Sequence, residues 1–262
     1  MSKGKYYFSK SLEKGLSILT LFNRDTPALT QSEIAKTLGL NMTSTYRYIN
    51  TLVELGYLEK NVKTKEIRPA LLSIVLCTNL MRASDQLALI EEVVDRIHRE
   101  SNISIDMALV VNDALVRIYH REAQETLTYR LPDVSPNCLH NTALGKAYLA
   151  SLPEDQAVAK IASLDLVGRT AKTITDKDRL LTEIQRAKAR GYAMSAEEYL
   201  SGLLAIGAAL RDPVNGDGVG AVSFDFSVLQ QNPSRIEATY ADLIQETARK
   251  LSALLPPEGR HR

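Results

Sequence analysis

The chain has only two cysteines, Cys77 and Cys138, among its 262 residues. Two thiols give no disulfide framework, and neither belongs to a pair spaced like a metal site. Long apolar runs are also missing: those near residues 71–77 and 203–210 fall far below the roughly 18 residues a membrane span needs. The opening MSKGKYYFSK lacks the apolar core of a signal peptide. The expectation is a cytoplasmic protein with no membrane partner, no metal and no cofactor. Catalytic signatures are equally scarce. No serine sits in a glycine-flanked nucleophile elbow. The Gly216-Asp217-Gly218-Val219-Gly220 run has no Lys-Ser/Thr after it and reads as a turn into a strand rather than a phosphate cradle. Cys138 and His140, even with His120, are a weak zinc signal. A non-enzyme is expected.

A surplus of one charge is absent overall, the net being +1, but this conceals an asymmetry. Residues 1–70 hold 11 Lys+Arg against 6 Asp+Glu, a net of +5, which leaves −4 for the rest. A basic head on an acidic body directs any polyanion contact to the head.

What is present is concentrated in residues 30–57, TQSEIAKTLGLNMTSTYRYINTLVELGY. Thr30 with Glu33 three residues later is a capping-box pattern. Ile34, Ala35 and Leu38 recur at helical spacing, and Gly39 can end the helix in a left-handed turn. Asn41 is the expected cap of a second helix and Gly56 its terminator. On that helix Thr45, Ile49, Leu52 and Leu55 form the expected core stripe. Thr43, Arg47 and Asn50 lie on another face, with Met42, Ser44 and Tyr46 beside them near the start. Hydroxyls, an arginine and an aromatic on the first turns of a braced helix suit docking in a DNA major groove. An ordinary helical hairpin with a solvated face is the alternative.

The next residues favour the DNA reading. Residues 57–60 and 66–68 read as short strands around the basic turn Asn61-Val62-Lys63-Thr64-Lys65, a wing. Lys60, Lys63, Lys65 and Arg68 are its candidate phosphate contacts. Lys14, Gln31 and Ser32 complete the candidate DNA contacts. Residues 9–22 are expected as an amphipathic helix with Leu12, Leu16, Ile18, Leu19 and Phe22 inward. Residues 69–84 form an apolar helical stretch that must be buried, either within the chain or as a connecting helix packed on a partner subunit.

Beyond residue 85 the pattern is α+β. A helix over 85–100 precedes strands at 103–111 and 115–121, joined by Asn112-Asp113, and a further strand candidate at 126–131. Helices are expected over 141–150, from Pro153, from Thr175 to Gly191, and from Asn232-Pro233 to about Leu255. Strands are expected at 203–210 and 219–226. The organisation expected from these patterns is a winged helix-turn-helix over 1–69, a linker helix over 70–84, and an α+β domain over 85–262.

Together the segments KSLEKGLSIL (10–19), LTQSEIAKTLGL (29–40), TSTYRYINTLVELGYLE (43–59), LHNTALGKAYLASLP (139–153), TITD (173–176), ARGYAMSAEE (189–198) and GLLAIGAALRDP (202–213) resemble the IclR family of bacterial transcriptional regulators. The resemblance spans essentially the whole chain in the family's order. It implies a winged head and a GAF-like effector domain, an antiparallel sheet flanked by helices with a pocket for a small organic or aromatic acid. It also implies a homodimer or homotetramer on a double-stranded, partly palindromic operator. Its recognition-helix positions fall on Met42, Thr43, Ser44, Tyr46 and Arg47. Its pocket positions fall on Asn141, Thr142, Ala143, Leu144, Ser195, Ala205, Ser223 and Asp225. The chain departs from the family where Ala205 replaces the common Cys, Ser195 the frequent Asp, Asp225 a small residue that is sometimes Ser, and Cys138 the usual proline. Ile67-Arg68-Pro69-Ala70 stands where the family has its YRLG signature.

An acid effector needs a few convergent polar groups in an apolar cleft. Arg130 is a candidate charge, and Met107, Tyr129 and Phe224 are candidate walls. The expected function is a DNA-binding regulator whose second domain senses a small acid and alters operator binding. The alternatives are a ligand-independent DNA-binding protein that uses its second domain only to oligomerise, and a metabolite-converting enzyme with a vestigial head.

Overall fold

The first regular element begins at a serine cap: Ser9 accepts a hydrogen bond from the Leu12 amide and opens helix α1 (Lys10–Leu19). A computed structural model of the chain describes residues 7–23, 26–111, 114–124 and 138–256, the Met81 side chain excepted. The chain divides into two compact units, Met1–Ser84 and Asp85–Arg262.

In the first unit β1 (Leu29–Thr30) leads into α2 (Gln31–Thr37) through a complete capping box. The Glu33 amide donates to the Thr30 hydroxyl, and the Glu33 carboxylate accepts from the Thr30 amide at 2.7 Å. Hydrogen bonds from the Thr30 amide and hydroxyl to the Glu33 carboxylate hold that carboxyl below its ordinary range. Gly39 turns at φ +62°. Asn41 then caps α3 (Met42–Glu54), accepting from the Ser44 amide at 2.8 Å, and Gly56 ends it at φ +79°. Strands β2 (Leu58–Lys60) and β3 (Glu66–Pro69) join β1 in a sheet ordered β1-β3-β2. Ile18, Ile34, Ile49, Leu58 and Ile67 interlock as the core.

Two expectations fail here, at α1 and at Leu55, and the choice left open for residues 69–84 narrows. Leu12 and Leu16 are 62% and 53% exposed, because α1 inserts only Ile18 fully into the core. Leu55 is exposed because it is the C-cap residue, beyond the stripe carried by Thr45 and Ile49. Helix α4 (Leu71–Arg82) is not buried within the chain, with Leu71, Ile74 and Leu80 all more than 60% exposed. Its tether is the Ser73 hydroxyl, which donates to the Tyr57 carbonyl at 2.7 Å.

The second unit is built on a five-stranded antiparallel sheet. Its strands are β4 (Ser104–Val111), β5 (Ala114–Arg121), β6 (Ala193–Ala196), β7 (Leu203–Arg211) and β8 (Gly218–Ser227), in the order β5-β4-β8-β7-β6. Helices α5 (Asp85–Ser101) and α9 (Pro233–Leu254) cover one face, burying Ile105, Met107, Ile206, Val222 and Phe224. Helices α6 (Ala143–Ser151) and α8 (Lys177–Arg190) cover the other, over Ala108, Ala193 and Ala221, with α7 (Glu154–Ser163) outside them. The alternation of side chains along each strand makes this division strict. The sequence pattern gives no sign of β6, whose Ala-Met-Ser-Ala lacks β-branched or aromatic residues. The expected turn at 112–113 and strand at 126–131 lie outside the described residues.

Candidate functional sites

The first candidate site is the start of α3 with the neighbouring hairpin. Met42, Thr43, Tyr46 and Arg47 are exposed on one side of α3, with Ser44 and Asn50 half-buried beside them. The core stripe of Thr45 and Ile49 orients this face outward. Gln31 does not project freely: its amide donates to the Met42 carbonyl at 3.1 Å, bracing the turn between α2 and α3. Ser32 is exposed and Lys14 half-buried. The hairpin turn is locked by the Asn61 side chain, which accepts from the Lys63 and Thr64 amides at 2.9 and 3.1 Å. Lys65 takes a left-handed conformation at φ +61°. Lys63 and Lys65 stand exposed at the tip, Lys60 lies 5.8 Å from the centre of the Tyr46 ring, and Arg68 pairs with Glu66 at 3.0 Å. Cations and hydroxyls thus border one helix start, and Arg47 has no ion-pair partner among the described residues.

The second candidate site lies in the other unit, between the start of α6 and the sheet. Thr142 caps α6, accepting from the Gly145 amide at 3.0 Å and donating to the Cys138 carbonyl at 2.7 Å. Gly145 has no room for a side chain, since a Cβ there would sit 2.4 Å from Leu139 Cα. Gly207 on β7 likewise lets the strand pass close beneath Ala143, where a Cβ would come within 3.0 Å of its backbone. The resulting cavity is lined by Thr142, Ala143, Leu144, Ser195, Ala205, Ser223 and Asp225, with Tyr199 and Leu203 closing it. It measures about 10 Å³, close to the space of one water. A second cavity of about 250 Å³ lies across Asp225 and Leu203, bordered by Ser104, His120 and Gln231.

Several candidate residues do not join this cavity. Met107 and Phe224 face the opposite side of the sheet, fully buried beneath α5 and α9, because neighbours along a strand alternate between faces. Asn141 is fully buried and its side-chain amide has no hydrogen-bond partner among the described residues, but it does not line the space. Tyr129 and Arg130 lie outside the described residues. The sequence pattern does not single out Asp106, Arg117, Lys146 or Glu198, whose neighbours come from distant strands. Asp106, 1% exposed, has Arg117 Nη1 at 3.2 Å and His120 Nδ1 at 3.0 Å. Behind the cavity Lys146 meets Glu198 at 2.5 Å. Burial pushes the Glu198 carboxyl up, partly countered by Lys146. Burial likewise drives His140 down, while its Nε2 lies 3.1 Å from the Val167 carbonyl. No three His, Cys, Asp or Glu side chains gather to hold a metal among the described residues, where no helix is long and apolar enough to cross a membrane.

Known proteins match both units. Residues 11–62 match the IclR helix-turn-helix domain, and residues 80–253 match the bacterial transcriptional regulator IclR C-terminal domain. The HTH-type transcriptional regulator BhcR of Paracoccus denitrificans is 25% identical over 248 residues, 95% of this chain and 88% of that protein. The HTH-type transcriptional repressor AllR of Klebsiella pneumoniae is 26% identical over 247 residues, 94% of this chain and 90% of that one. Among solved structures, an IclR transcriptional regulator from Alicyclobacillus acidocaldarius superposes with a TM-score of 0.76 at 19% identity, covering 95% of this chain and 99% of that chain. An IclR homolog from Microbacterium hydrocarbonoxydans, complexed with 4-hydroxybenzoate, superposes with a TM-score of 0.68 at 20% identity, covering 94% and 98%.

Proposed function

This chain belongs to the IclR family of bacterial transcriptional regulators, and we propose that its second unit senses a small organic or aromatic acid and thereby alters how the first unit grips an operator. The relatives named above are regulators rather than enzymes. Met42, Thr43, Ser44, Tyr46, Arg47 and Asn50 read base edges, with Lys14, Gln31, Ser32, Lys63, Lys65 and Arg68 on or near phosphates. Thr142, Ala143, Leu144, Ser195, Ala205, Ser223 and Asp225 receive the effector.

The observation that carries this reading is the pairing of an exposed, hydroxyl-rich helix start beside a basic hairpin with a separate unit holding a polar-lined cavity. The 4-hydroxybenzoate complex of a relative supports an acid as ligand. At about 10 Å³ the cavity needs its wall at Asp225 and Leu203 to yield toward the larger cavity before such a molecule fits. That movement is the natural switch, since a ligand resets an equilibrium only by its differential affinity for two states.

The working form is a homodimer or homotetramer in the cytoplasm. The apolar residues left uncovered on α1 and α4, including Leu12, Leu16, Ile74 and Leu80, are the surface that favours a second copy. Two heads then meet half-sites about one helical turn, ~34 Å, apart. Residues 1–69 serve as the DNA-binding domain, 70–84 as the linker and 85–262 as the sensing domain.

A thermal-shift screen of the whole protein against small organic and aromatic acids tests the sensing reading. A ligand at ~100 times its dissociation constant adds roughly 2.7 kcal/mol of stability. A stabilising acid that also changes DNA affinity supports the reading. A screen without a hit, while DNA binding is intact, favours a second domain that only oligomerises.

A further inference from the structure

The loop between β6 and β7, residues 197–202, turns left-handed at both ends, with Glu197 at φ +58° and Gly202 at φ +86°. Glycine adopts that conformation freely, but a glutamate there is strained unless its surroundings hold it. Tyr199 hangs from the middle of the loop, buried against Cys138 and Leu203, and closes the small cavity. Hydrogen bonds join its hydroxyl to Cys138 and Arg169, and the Arg169 guanidinium lies 4.4 Å from the centre of its ring.

The contacts that hold the loop come from residues 164–176, which join α7 to α8 and contain neither helix nor strand. The Thr170 hydroxyl donates to the Glu197 carbonyl at 2.7 Å, and the Thr173 hydroxyl to the Glu198 carbonyl at 2.6 Å. Lys172 pairs with the Glu197 carboxylate, but that lysine is exposed and the pair adds little. The loop is tied in turn to the cavity wall. The Glu197 amide donates to the Leu203 carbonyl at 2.7 Å, and the Leu203 amide to the Leu200 carbonyl at 3.1 Å. Lifting the loop therefore pulls on Leu203, part of the wall that must yield for the cavity to grow. The remaining walls are fixed. Ser195, Ala205, Ser223 and Asp225 sit in paired strands, and Thr142 is locked as the cap of α6.

Resting on the sensing reading above, we propose that residues 197–202 are a lid over the effector cavity. Tyr199 is its plug, and Thr170 and Thr173 are positioning residues that hold it shut. Lids are drawn from the least stable parts of a structure, and a loop clasped by two hydroxyls of an irregular stretch meets that condition.

Cys138 reports on the lid without any ligand, because it is buried beneath Tyr199, and the exposed Cys77 is removed by Cys77→Ser. The test is the rate at which iodoacetamide alkylates Cys138 in the full-length Cys77→Ser protein, followed by mass spectrometry at several urea concentrations below the unfolding transition. Lid opening predicts labelling that does not depend on urea. Thr170→Val and Thr173→Val, added singly, are each expected to raise that rate about fivefold, the worth of one typical hydrogen bond. Valine keeps the size of the side chain and the charge around the thiol, so the change reads the clasp alone. A merely structural role would raise only the urea-dependent labelling that accompanies global unfolding. Labelling that tracks global unfolding in all three proteins overturns the lid, and so does a urea-independent rate that neither substitution changes. Either result leaves the sensing reading standing, since no acid takes part in the measurement.

Discussion

Lys146 and Glu198 meet at 2.5 Å inside the second unit, the lysine on α6 only 1% exposed and the glutamate in the loop after β6. The ammonium also donates to the Met194 carbonyl at 3.3 Å, so one side chain ties the helix that begins at the cavity to the strand edge beside it. Removing one member of a buried pair strands the other charge, at a cost of about 3–5 kcal/mol. Lys146→Met is therefore expected to lower stability by that order in denaturant titration. The double change Lys146→Met with Glu198→Leu should recover most of the loss, and a single variant as stable as the wild type would remove the pair's structural role.

Arg47→Ala is expected to weaken operator binding by about 1–3 kcal/mol without changing the unfolding midpoint, if Arg47 reads a base edge. Lys63→Ala should weaken specific and nonspecific DNA alike and reduce the slope of log affinity against log salt by about one. Salt titrations by fluorescence anisotropy separate the two patterns.

Asp225 makes stability depend on pH in a predictable direction. Its folded pKa lies above the ordinary 3.8, so its contribution is fully present below about 4 and declines as pH rises through the folded value. Asp225→Asn should raise Tm relative to the wild type at pH 8, and the gap should close toward pH 4. A gap independent of pH would mean that burial beside Asp106 does not raise the folded pKa of Asp225.

Gly145→Ala places a methyl 2.4 Å from Leu139 Cα, against backbone that cannot swing aside. The expected loss is about 1–3 kcal/mol, the usual range for overpacking, with any ligand response reduced as the start of α6 shifts. Hydrogen exchange at the α6 amides would locate the disturbance.

Local signals in the sequence translate directly into structure. Thr30 with Glu33, Asn41, Asp176 and Asn232 all cap the helices they precede, and Gly39, Gly56 and Gly191 all turn left-handed, because these choices depend on a few adjacent residues. The placement of α3's outward face follows from helical period alone. Long-range packing is less legible. Met107 and Phe224 look like pocket walls by residue type, yet alternation along β4 and β8 sends them into the opposite core. Leu12 and Leu16 look buried by composition, yet both stand exposed, and Leu71, Ile74 and Leu80 of α4 with them, because the first unit is too small to bury every apolar face. The Asp106 cluster depends on pairing across β4, β5 and β8 and on a register shift between Met107 and Ala108, none of which a linear pattern encodes.

The central claim is that ligand binding in one unit changes DNA affinity in the other. Its most direct test is an anisotropy titration of a labelled DNA fragment, selected from genomic DNA by the purified protein, with and without the acid that stabilises the protein most in thermal shift. Coupling of the usual strength changes the affinity 5- to 150-fold, and the DNA should shift the acid's affinity by the same factor. A stabilising acid that leaves the DNA affinity unchanged would contradict the account.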